Sequence, residues 1–71
     1  MDLKLLQQII KDQGLNYYKM GRLMRMSHTG FRKKLIGESE FKVSEIVRLK
    51  KVLNLDDATI LKILFGGTSN E

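Results

Sequence analysis

The chain has 71 residues, a net charge of +5, no cysteine and no proline. A chain of this length buries only about 60% of the surface its unfolded form exposes, which leaves room for one small core and no second one. Without cysteine there is no disulfide framework or thiolate metal site, no apolar run approaches the ~20 residues that span a bilayer, and Met1-Asp2-Leu3 lacks the positive opening of a signal peptide, so the expectation is a cytoplasmic protein with no membrane association, metal or cofactor.

Abundant Leu, Ile, Lys and Arg with few aromatics favour an all-α fold. Asp2 is placed to cap a first helix, in which Leu3, Leu6 and Ile10, with Leu5 and Ile9, recur at steps of three and four. Gly14 ends it. Asn16, a strong N-cap, restarts the pattern, and a second helix from about Tyr17 to Met24 carries Met20, Leu23 and Met24 at helical spacing. Ser27 is the next capping residue, so the second and third helices are joined by a very tight turn. The third is expected from about His28 to Ile36, with Phe31, Leu35 and the stem of Lys34 turned inward, and Gly37 closes it. Glu38 to Val43 forms a polar connection anchored by Phe41. Ser44 is the expected cap of a fourth helix whose Ile46, Val47, Leu49, Val52 and Leu53 face the core, while Arg48, Lys50 and Lys51 face water. A capped turn over Asn54-Leu55-Asp56-Asp57 leads to a fifth helix carrying Ile60, Leu61, Ile63, Leu64 and Phe65. This apolar set exceeds what one side of a short helix needs for a core, so part of it should be exposed as a dimer seam or a partner site. The expected domain covers residues 1–65, and Gly66-Gly67-Thr68-Ser69-Asn70-Glu71 should be a mobile tail.

Charge is unevenly distributed along this plan. No acidic residue lies between Asp12 and Glu38, an interval that holds Lys19, Arg22, Arg25, Arg32, Lys33 and Lys34. The rest of the chain carries seven basic and eight acidic residues, a net charge of −1. The positive field is therefore local and belongs to the second and third helices.

Two short helices joined by a tight turn, the second basic and rich in small polar residues, form the arrangement of a DNA-binding helix-turn-helix. A major groove admits one α-helix, which can place its N-terminal turns against the base edges when a crossing partner holds it away from the body. The crossing needs a small residue, and Gly21 supplies it. Leu15 to Gly37, LNYYKMGRLMRMSHTGFRKKLIG, resembles the helix-turn-helix of the lambda-repressor-like family, the Cro and Xre-type regulators of phages and bacteria. EFKVSEIVRLKKVLNL from Glu40 resembles the following loop and fourth helix of small phage-type members, so the likeness covers about residues 3 to 65. It implies five helices, operator DNA as ligand, dimerisation and a place in the bacterial host cytoplasm at the nucleoid. The chain departs from the family twice. Arg25 stands where glycine is common in the turn, suggesting a slightly different turn geometry, and Tyr17 stands where a phosphate-binding glutamine is common.

Direct base readout is expected from His28, Thr29, Arg32 and Lys33 on the N-terminal face of the third helix. The phosphate rim is expected from Asn16, Tyr17, Lys19, Arg22, Lys34, Ser39 and Lys42. Gly30 costs a helix interior roughly 1 kcal/mol relative to alanine, and two reasons for it remain open: close packing against the second helix, or approach of the main chain to the DNA backbone. Either makes Gly30→Leu damaging. No Gly-rich phosphate loop, nucleophile elbow or zinc motif is present, so an enzyme is not expected. The leading function is a transcriptional regulator that occupies a double-stranded DNA operator; the alternative is an interaction module, an antirepressor or modulator, that binds a partner repressor protein.

Overall fold

A computed structural model describes residues 1–66, which form five α-helices and no strand. In chain order these are α1 (Leu3–Asp12), α2 (Tyr17–Leu23), α3 (His28–Leu35), α4 (Val43–Val52) and α5 (Asp57–Phe65). No helix among the described residues is long and apolar enough to cross a membrane. Apart from Gly66, the expected tail lies outside the described residues.

The apolar periodicity resolves into one core. Leu6 and Ile10 from α1, Met20 and Met24 from α2 and its end, Phe31 from α3, Leu49 and Leu53 from α4 and its end, and Ile63 from α5 are all buried. Leu3, Ile9, Leu35, Phe41 and Ile60 pack partly buried around them, with Phe41 edge-on to Phe31 at 5.8 Å between ring centres. Three polar ties draw the helices together over this core. The Gln7 amide donates to the Leu35 carbonyl (3.0 Å), Gln13 donates to the Leu53 carbonyl (2.8 Å), and the Asp2 N–H donates to the Ile63 carbonyl (2.6 Å). Each gives a carbonyl near a helix C-terminus a partner from another part of the chain.

Four of the five helix starts use a side-chain oxygen on the N–H three residues on: Asp2 on Leu5, Asn16 on Lys19, Ser27 on Gly30 and Asp56 on Thr59. The fourth helix departs from expectation. Ser44 is not its cap; Lys42 is, two residues earlier, and the Glu45 carboxylate folds back to accept the Lys42 N–H at 2.7 Å. That reverse bond from the third helical position satisfies the entrance without a serine oxygen. The earlier start goes with an unexpected exposure of Val43, which is 79% exposed, and Val47, one turn on, is 50% exposed rather than in the core. Lys50, expected in water, is half-buried and pairs with Asp57 at 3.0 Å, joining α4 to the first turn of α5.

The helix ends share a device. After α1, α2, α3 and α4 the chain turns through a left-handed residue, respectively Gly14 (φ 72°), Arg25 (φ 58°), Gly37 (φ 88°) and Asn54 (φ 54°). In each case its N–H reaches back three residues, and the next N–H reaches back five, as in Leu15 to Ile10, Met26 to Gly21, Glu38 to Lys33 and Leu55 to Lys50, at 2.8–3.0 Å. This double bond set is the Schellman stop. Arg25 therefore adopts the geometry glycine would, rather than a modified turn, although a left-handed conformation costs a non-glycine residue about 1–2 kcal/mol.

Candidate nucleic-acid interface

The geometry of α2 and α3 is set by their backbones. A Cβ built on Gly21 would lie 3.0 Å from the His28 N, the His28 Cα and the Met26 carbonyl oxygen. The first residue of α3 is thus pressed against the middle of α2, so closely that any Cβ at Gly21 would force the facing backbone to give by a few tenths of an ångström. Gly30 differs. A Cβ there would meet only the Ser27 hydroxyl oxygen, at 3.0 Å, so packing against α2 does not explain this glycine.

With Phe31 buried and Leu35 partly buried, α3 turns the opposite side outward. His28, Thr29, Arg32 and Lys33 are all exposed on that one face, with Ile36 continuing it. The expected base-contacting set is therefore contiguous. Arg32 stands at its edge, where it also borders a shallow groove walled by Lys11, Asn16, Tyr17 and Ile36. Ser27 caps the α3 N-terminus at 2.9 Å, while Arg32, Lys33 and Lys34 fill the last turn, where cations complement the helix dipole.

The expected rim divides. Lys19 and Arg22 are exposed on α2, and Ser39 and Lys42 are exposed beyond α3. Lys19 reaches only a weak 3.5 Å contact with the Gly14 carbonyl. Asn16 is exposed but spends its side-chain oxygen capping α2. Lys34 belongs elsewhere: its ammonium donates to Glu45 Oε1 at 2.7 Å and to the Glu40 carbonyl at 3.2 Å, with only 13% of the side chain exposed. It clasps α3 to α4 and is removed from the rim. Burial pushes the Glu45 carboxyl upward, but the hydrogen bonds from Lys34 and the Lys42 N–H, with both positive charges, hold it below its ordinary value.

The structure adds a cluster that spacing did not reveal. Tyr17 is half-buried rather than standing alone at the rim, and its ring stacks on Tyr18 with centres 4.7 Å apart. Tyr18 in turn lies 4.3 Å from the His28 ring, and Tyr17 lies 6.1 Å from it. Three rings thus bridge the N-termini of α2 and α3. The neighbouring Tyr17 hydroxyl, its charge on ionisation and slight desolvation raise the Tyr18 phenol above its ordinary pKa. The adjacent tyrosines are a visible sequence signal, but their meeting with His28 depends on the Gly21 contact. Among the described residues, no group of three His, Cys, Asp or Glu side chains is placed to hold a metal ion. Comparisons with protein-family models, curated proteins and solved structures find no match.

Proposed function

We propose that this chain is a sequence-specific DNA-binding regulator of phage Cro or repressor type, with α2 and α3 as a lambda-repressor-like helix-turn-helix. The observation that carries this reading is the exposed α3 face of His28, Thr29, Arg32 and Lys33 within an interval, residues 13–37, that holds no acidic residue. In this reading α3 enters the major groove, His28, Thr29, Arg32 and Lys33 meet base edges, and Lys19 and Arg22 on α2 meet phosphate. The protein acts in the bacterial cytoplasm by occupying an operator, not by catalysis.

The test is selection of duplexes from a randomised pool, followed by footprinting and titration against the selected and a scrambled duplex. Lys33→Ala should weaken the selected duplex by roughly 1–3 kcal/mol and relax preference at one position of each half-site. Arg22→Ala should weaken both duplexes alike and lower the magnitude of the salt slope by about 1. Absence of any preferred duplex would sink the reading. The partner-repressor reading draws support from exposed Leu61 and Phe65 on α5. It gains the field if both substitutions spare DNA binding but abolish capture of a protein partner.

A further inference from the structure

Tyr18 is 57% exposed, and neither the core nor the phosphate contacts proposed above account for it. Its ring contacts are nonetheless specific: the Tyr17 ring stacks on it at 4.7 Å and 25°, the His28 ring lies tilted against it at 4.3 Å and 32°, and those two rings are themselves 6.1 Å apart, so the three form a compact triangle. Tyr18 lies in the first turn of α2, whereas His28 is the first residue of α3. The backbone of His28 is already fixed by the close approach of Gly21. What remains free at the head of α3 is the imidazole's rotation about its side-chain bonds, and the Tyr18 ring limits that rotation.

We propose that Tyr18 is a positioning residue for DNA recognition, holding the His28 imidazole in the orientation from which it meets a base edge, so that the two side chains act as one unit. This rests on the DNA-binding reading and deepens it. Without the Tyr18 contact, a first-turn histidine on an exposed helix would have several rotamers open to it and would lose that freedom on binding. With it, part of the ordering has occurred before DNA arrives. Tyr17 completes the triangle, 4.7 Å from Tyr18 and 6.1 Å from His28, and its half-buried ring ties the cluster to the body of the protein. The contact needs the aromatic face and not the hydroxyl, so phenylalanine should substitute.

The test combines a structural measurement without DNA and a double-mutant cycle with it. In the free protein, Tyr18→Ala should move the His28 ring-proton resonances downfield by removing a ring-current contribution, with the melting temperature nearly unchanged. On the duplex selected by the wild-type protein, Tyr18→Ala should cost roughly two- to tenfold in affinity, the ordering of one side chain, and spare a scrambled duplex. Tyr18→Phe should behave as wild type. In a His28→Ala background, Tyr18→Ala should cost nothing further. Additive losses, or unmoved His28 resonances, overturn the positioning role while leaving the DNA-binding reading intact. If the wild-type protein does not distinguish the two duplexes, both fall together.

Discussion

At the scale of single residues, the two interior glycines carry opposite consequences. Gly21→Ala would push a methyl group into three backbone atoms at 3.0 Å, none of which can rotate away. It should destabilise the fold by about 1–3 kcal/mol, the cost of overpacking, despite alanine's better helix propensity. Gly30→Ala meets only the Ser27 hydroxyl, so about 1 kcal/mol of propensity gain should roughly offset a disturbed cap worth about 1 kcal/mol. Thermal melts should therefore separate the two variants clearly. A large loss of melting temperature in Gly30→Ala would restore the close-packing explanation, whereas lost DNA affinity at unchanged stability would support main-chain approach to a ligand. The need for a small residue at the crossing was legible at Gly21, since two adjoining short helices must touch somewhere. Gly30 was not resolved by the same logic, because its place one turn into α3 does not say which side of the helix its missing side chain would occupy. Lys34 resisted for another reason. It sits in the acid-free interval and so counts as surface charge, but its carboxylate partner lies 11 residues away on α4, beyond the reach of local charge counting.

At the scale of elements, helix existence and caps were largely legible because each start has its own side-chain oxygen and each stop its own turn residue. The exception at α4 follows from chemistry that a search for serine misses, since the acceptor is the carboxylate at the third helical position. The stops yield a prediction. Arg25→Gly removes a left-handed penalty of about 1–2 kcal/mol and adds about 0.4–1 kcal/mol of unfolded-chain entropy, for a net gain near 0.5–1 kcal/mol by denaturant unfolding. A loss of stability would mean that the Arg25 side chain makes a favourable contact outweighing the strain. The clasp between α3 and α4 yields another, in pH. Because the folded pKa of Glu45 lies below its ordinary value, the unfolded chain takes up the proton first as acid is added. Its contribution to stability is present above the unfolded pKa and lost as pH falls through the depressed folded one. Asp56 has the same sign, its pKa lowered by hydrogen bonds from the Thr59 side chain and N–H. The melting temperature should thus fall on acidification below the ordinary glutamate value of 4.5. Glu45→Gln should lower stability at neutral pH and flatten that acid dependence; an unchanged slope would remove the clasp from the account.

At the scale of the whole molecule, exposed apolar surface extends beyond the elements that carry the positive charge. The basic interval lies on α2, α3 and their turn and exposes Tyr18, Leu23 and Ile36 as well, whereas the later helices present exposed apolar one-turn pairs, Val43 with Val47 on α4 and Leu61 with Phe65 on α5. A surplus of apolar side chains on α5 was legible in its composition; the exposure of Val47 was not, since periodicity alone put it with Leu49 and Leu53. The Leu61 and Phe65 pair is the best candidate for self-association, because Ile63 between them anchors α5 in the core. Such a small patch falls well short of the ~800 Å² per partner of a standard interface, so the dimer it supports should be weak in isolation. DNA with two half-sites about 34–36 Å apart would strengthen it by holding two chains side by side. Sedimentation at micromolar concentration should therefore show mostly monomer without DNA and two chains per selected duplex with it. Leu61→Glu should abolish the second chain and weaken operator binding while leaving the melting temperature nearly unchanged, since Leu61 is 52% exposed. A strict monomer bound to a single half-site, indifferent to Leu61→Glu, would exclude the seam and leave the α5 surface to a partner protein.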